Sequence, residues 1–125
     1  MKQVWIFLLL IACQQATTSE DLRQAGEIHL QSLAVADDLE AALDSLEQSG
    51  ALPLDTLAAL KRDLEAWEEN LVEVPGLEHE HAHEGHDHHH HEAAPSISDA
   101  EMLQVQQEAL RQLRALETRV QSFKK

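Results

Sequence analysis

The 125-residue chain has one cysteine, four glycines, three prolines and only nine basic residues against 23 acids. Each shortage excludes something. A lone cysteine, Cys13, allows no intrachain disulfide and no thiolate metal cluster. A net charge of −14 argues against nucleic acid or an anionic lipid surface as a partner. No glycine-rich phosphate loop is present. Thr17, Thr18 and the scattered serines have no base at a recognisable catalytic spacing, so an enzyme is not expected. No period-two strand pattern occurs anywhere. The strongly apolar stretch Val4 to Ile11 is eight residues, well short of the ~20 needed to span a bilayer as a helix.

What is present is concentrated in one stretch. Glu78 to Glu92 reads EHEHAHEGHDHHHHE and holds eight of the nine histidines: His79, His81, His83, His86, His88, His89, His90 and His91. Glu78, Glu80, Glu84, Asp87 and Glu92 are threaded among them, and nothing apolar is larger than Ala82. Such a segment has nothing to bury and cannot offset the entropy of folding, so a long disordered loop is expected over 76–95. In an extended backbone, residues i and i+2 project to the same side. His79-x-His81-x-His83 and His86-x-His88 therefore offer paired imidazoles to one ion, and Gly85 lets the two groups bend together. Neutral imidazole suits Zn(II), Ni(II) and Cu(II); with Met102 the one methionine beyond the leader, a Cu(I) site is not expected. The many overlapping ligand choices point to reversible binding of several ions at low specificity, with no catalytic cofactor. The alternatives are a solvated polar spacer or a proton buffer.

The amino terminus has the form of a secretory signal over residues 1–12: Lys2, the apolar run, then Leu10-Ile11-Ala12-Cys13. That tetrapeptide resembles the lipobox of bacterial lipoproteins. The resemblance implies that Cys13 is lipidated and begins the mature chain, with residues 13–18 as cysteine and spacer. Attached acyl chains would anchor it to the membrane. Gln14, not aspartate, follows the cysteine, which by the same resemblance favours the outer membrane over the inner and a periplasm-facing chain.

Residues 19–125 read as a three-helix domain. Ser19 or Thr18 can cap a first helix running to about Gln48, with the seam Leu22, Ala25, His29, Ser32, Ala36, Leu39, Leu43 and Leu46. Ser49-Gly50 and Pro53 stop it. A second helix is expected from Leu54 or Asp55 to Glu73, with the seam Leu57, Leu60, Leu64, Trp67, Leu71 and Val74, ended by Pro75-Gly76. Ser98 to Glu101 has the form of a capping box opening a third helix to about Phe123, whose seam is Met102, Gln106, Ala109, Leu113, Leu116, Val120 and Phe123. One short and one long connection suggest an all-α, antiparallel three-helix bundle, up-down-up; a loose hairpin that dimerises is the other arrangement the pattern allows.

The Gly50–Pro53 turn sets a register. An antiparallel pair places Leu46 opposite Leu57, Leu39 opposite Leu64, Ala36 opposite Trp67, and His29 opposite Val74. The ninth histidine then lies at the end of the bundle where the histidine run and the lipid anchor also lie. His29 has two readings there: a seam histidine satisfied by a carbonyl or polar side chain, or a ligand to metal, directly or through a neighbour. Glu73 could add an oxygen.

The stretch Trp67 to His81, WEENLVEVPGLEHEH, followed later by Glu101-Met102-Leu103, resembles small histidine-rich bacterial lipoproteins of unassigned function, some labelled viral A-type inclusion protein-like. The resemblance implies a cell-envelope location and no established activity. Two functional expectations result. One is a lipid-anchored envelope protein that buffers divalent metal or hands it to a transporter, as a monomer or weak homo-oligomer. The other is a structural or interaction lipoprotein whose histidine run is a spacer beside a surface for an envelope partner.

Overall fold

The computed structural model describes residues 18–77 and 96–124. The leader, Cys13 and the histidines from His79 to His91 lie outside the described residues, so the expectations attached to them are not addressed by the fold. Among the described residues there are three α-helices and no strand: α1 (Glu20–Ser49), α2 (Leu54–Glu69) and α3 (Asp99–Ser122). Each helix contacts both others, and α1 makes its most extensive contact with α3.

The helix boundaries follow local chemistry. Ser19 is the N-cap of α1; its hydroxyl accepts the Leu22 N–H at 3.1 Å, and Glu20 and Asp21 place negative charge in the first turn. Gly50 ends α1 in the left-handed region at φ 62°, and its N–H reaches the Glu47 carbonyl. Pro53, already near helical φ, precedes α2 without a side-chain cap. Ser98 and Glu101 form the reciprocal capping box that starts α3.

Two expectations are corrected. Helix α2 stops at Glu69, not Glu73. Asn70 turns its side-chain amide onto the Ala66 carbonyl at 2.6 Å, and the Val72 carbonyl is drawn to the side chain of Gln106 at 2.7 Å. Val74 also precedes Pro75, which disfavours helical backbone at that position. Leu71 and Val74 remain buried, but from an irregular segment. The second correction is Phe123, which is exposed because it caps the end of α3, beyond the last turn that packs.

The core has two parts. The larger runs from Leu46, Leu57 and Val120 through Leu43, Leu60, Leu39, Leu64 and Leu116 to Trp67, Leu71 and Leu113. The smaller is built from Ala25, Val74 and Met102, with half-buried Leu22, Val72, Leu77, Ile97 and Leu103 against it. Leu77 and Ile97 are the residues on either side of the histidine-rich segment that pack here. A Cβ at Gly26 would lie 2.8 Å from Leu77 Cδ1, so the absent side chain is what admits Leu77. Ordered packing therefore extends one residue past Gly76 into the stretch expected as loop. No described helix is long and apolar enough to cross a membrane.

Candidate metal centre

Three buried polar side chains stand among the apolar seams: His29, Ser32 and Gln106, each with no exposed surface. Ser32 returns its hydroxyl to the Ile28 carbonyl one turn back, at 2.9 Å. The other two form a chain of contacts that starts in the irregular segment after α2. The Val72 carbonyl can only accept, so the Gln106 amide must present Nε2 to it, as it does at 2.7 Å. The same nitrogen lies 3.6 Å from the Met102 sulfur. Gln106 Oε1 then faces His29 Nδ1 at 3.2 Å. An amide oxygen accepts, so Nδ1 carries hydrogen and donates. On the other side of the ring, His29 Nε2 lies 3.6 Å from Glu73 Oε2. The Glu73 side chain retains 25% of its exposure, so this end of the chain of contacts opens toward solvent.

Of the residues expected to take part in metal binding, only His29 and the possible oxygen donor Glu73 are described. The two readings of His29 meet in this arrangement. Nδ1 has the polar side-chain partner expected of a seam histidine, and Nε2 is on the side of the carboxylate that the sequence flags as an oxygen donor. Among the described residues, no three histidine, cysteine or acidic side chains converge. Gln106 is the participant that sequence reasoning placed on a seam without assigning a partner. The signal was available: two polar residues on apolar stripes of different helices are expected to meet, because each is costly to bury alone.

The N-termini of α1 and α3 are tied together at this end, where the Ser19 hydroxyl donates to Asp99 Oδ2. Further along, Trp67 donates its indole N–H to the Ala109 carbonyl at 2.9 Å, and Arg119 pairs with Asp63 at 2.7 Å. An open groove of about 1000 Å³ runs between α2 and α3 past these residues. The surface electrostatics are local. Hydrogen bonds from Arg23 and then Gln24 hold the Glu20 carboxyl down at about 2, and the Ser98 side chain and backbone hold Glu101 below its ordinary value. Lys61 is raised by hydrogen bonds to Glu47 and Asp44. Exposed pairs of this kind contribute little to stability.

The chain matches no protein-family model, no curated protein and no solved structure.

Proposed function

We propose that the chain is a lipid-anchored protein of the bacterial cell envelope that binds Zn(II), Ni(II) or Cu(II) reversibly through His79, His81, His83, His86, His88, His89, His90 and His91, buffering the metal or handing it to an envelope transporter. The observation that carries this reading is the run itself: eight imidazoles and five carboxylates within Glu78–Glu92. Imidazole at that density captures borderline dications without a preformed fold. Binding requires neutral imidazole, so it is strong at neutral pH and lost as the pH falls through the histidine range.

The reading includes an up-down-up, antiparallel order of the helices. Its support is the sequence of contacts along each pair. Lys61 meets Asp44 and Glu47 while Glu73 meets His29, so α2 advances as α1 recedes. Asp63 meets Arg119 while Val72 meets Gln106. Ser19 meets Asp99 while His29 meets Gln106, so α1 and α3 advance together. In that order both stems of the histidine run, Leu77 and Ile97, lie near the start of α1. Residues 14–19 reach at most about 20 Å when extended, so a lipid on Cys13 would keep the run close to the membrane.

Isothermal titration of the chain from Gln14 with Zn(II), Ni(II) and Cu(II), beside a variant with the eight run histidines changed to Asn, tests the proposal. Micromolar binding of more than one ion, reduced in the variant, is expected. Binding no tighter than millimolar would overturn it. The second reading, an interaction lipoprotein with a spacer, draws on the open α2–α3 groove. Deleting residues 79–91 separates the two. Lost metal tolerance at normal abundance supports metal handling, and lost partner capture with no metal phenotype supports the spacer.

A further inference from the structure

Of the three helices, α3 alone has nearly balanced charge. It holds four acids against Arg111, Arg114 and Arg119, whereas α1 holds eight acids against Arg23 and α2 five against Lys61 and Arg62. The charges of α3 are also ordered along it. Asp99, Glu101 and Glu108 lie in its first half and all three arginines in its second, with Glu117 the one acid among them. Glu101, Val105, Glu108, Gln112, Ala115 and Arg119 recur at alternating spacings of four and three, so they form one stripe along the helix. None of the six is buried, and all six line the open groove between α2 and α3. The floor beside the stripe is apolar, at Trp67, Ala109 and Leu116.

We propose that the groove is covered by α3 of a second copy of the chain, in an antiparallel pair about a two-fold axis at the level of Leu110. Each end of the stripe then meets the opposite charge. Glu101 faces Arg119 of the second copy, and Arg119 faces its Glu101, as an isologous contact requires. Val105 faces Ala115 and Glu108 faces Gln112, so no like charges meet along the stripe. A parallel pair would set Glu101 against Glu101 and Arg119 against Arg119. Both end residues are available. The capping box uses Glu101 Oε2 and leaves Oε1, and the exposed Arg119 guanidinium has donors beyond those that reach Asp63. The acid excess of the chain stands on α1, α2 and the histidine run, so α3 is the helix on which two chains of net charge −14 meet with least repulsion. The stripe from Glu101 to Arg119 is about 27 Å long at ~1.5 Å per residue. A contact of that length is at the small end of specific interfaces and gives a weak, reversible dimer. The pairing does not depend on metal binding by the run, and it assigns the groove to a second copy in place of an envelope partner.

The chain from Gln14 keeps every described residue and lacks Cys13, the one cysteine. Sedimentation equilibrium, with chelator present to remove any metal bridge between histidine runs, should show a monomer–dimer equilibrium in the micromolar range that weakens as salt is added. Arg119→Glu and Glu101→Arg should each weaken it by about tenfold or more, because each change sets like charges together at both ends of the pair. Mixed one to one, the two variants should dimerise again, since each then offers the other opposite charge at both ends. Damage to the fold would not be repaired by mixing, and circular dichroism of each variant checks that the helices persist. Orientation is read from disulfides. Val105→Cys and Ala115→Cys chains, mixed and oxidised, should form the mixed disulfide, and a predominance of the two symmetric disulfides would establish a parallel pair and overturn the inference. A chain that stays monomeric to about 1 mM overturns it as well, as does a dimer that the charge variants leave unchanged or that mixing does not restore. Loss of the dimer would leave metal capture by the run untouched, so the two proposals fail separately.

Discussion

Replacing Gln106 by Leu breaks both of its hydrogen bonds at once. His29 Nδ1 loses its acceptor, 3.2 Å away, and the Val72 carbonyl loses its donor at 2.7 Å. His29 is fully buried and cannot turn to water; Val72 is half-buried and recovers part of its solvation. A buried group left without its partner costs about 1–3 kcal/mol, while a leucine of similar volume gains roughly 1 kcal/mol of apolar burial. The expected net loss is about 2 kcal/mol. His29→Leu leaves Gln106 Oε1 without its donor and changes the shape of the site, for a loss of about 2 kcal/mol as well. In the double variant neither orphan of the His29–Gln106 bond exists, and two leucines face one another. Its loss should be about 2 kcal/mol, not the ~4 that independent sites would give, a coupling of roughly 2 kcal/mol.

Urea denaturation followed by far-ultraviolet circular dichroism, with chelator present to remove metal, measures all three values. Each single variant should melt about 8–16 °C below the wild type, at roughly 4–8 °C per kcal/mol for a domain of this size. Additivity of the two losses to within about 0.5 kcal/mol would refute the reasoning. The His29–Gln106 hydrogen bond would then contribute nothing of its own, and the tautomer assignment that depends on it would fall.

Other positions give sharper local expectations. Gly50→Ala forces an L side chain to φ 62° with no steric neighbour, so it should cost about 1 kcal/mol from backbone strain alone, read as a lower urea midpoint at unchanged slope. Ser98→Ala removes the cap of α3 and should cost about 0.5–2 kcal/mol. It should also return the Glu101 carboxyl toward 4.5, which a carbon-detected NMR titration measures. In the wild type the folded value is the depressed one. The contribution of Glu101 is therefore present above its unfolded value and lost as pH falls through the folded one. Leu113→Ala empties a site with no exposed surface in the larger core and should cost about 2–5 kcal/mol in thermal or urea unfolding.

The helical seams were legible because α-helical periodicity records burial directly. Every seam position named for α2 is buried, as are Ala25, His29, Ser32, Ala36, Leu39, Leu43 and Leu46 of α1. The starts of α1 and α3 were legible because Ser19 and Ser98 bond within one turn of themselves. The end of α2 was not legible, for the opposite reason. What draws the Val72 carbonyl out of the helical ladder is Gln106, 34 residues away in sequence. No local preference announces such a contact. Val35, outside the α1 seam, is also core, because α1 lies against two helices and needs a wider buried stripe than one seam. The histidine run sits at the other extreme, since its chemistry is stated by composition alone. Glu73 was the ambiguous case: named as a possible oxygen donor, it gains a definite geometry only once the ring of His29 is oriented.

The placement of the polar residues follows from the same physics. A continuous apolar seam through positions 29, 32 and 106 would merge the two parts of the core into one. Instead, His29, Ser32 and Gln106 interrupt it between the large cluster and the small one that holds Leu77 and Ile97. A polar layer adds little burial energy, but it is demanding about geometry, because each donor and acceptor in it must find its partner. The His29–Gln106–Val72 contacts fix the register of α3 against both α1 and the segment after α2. Apolar residues at these positions would pack with less discrimination between registers. The layer also leaves the stems of the histidine run on a small apolar cap of Ala25, Val74 and Met102. Disturbing that cap exposes little apolar surface and leaves the larger core, a separate cluster, in place.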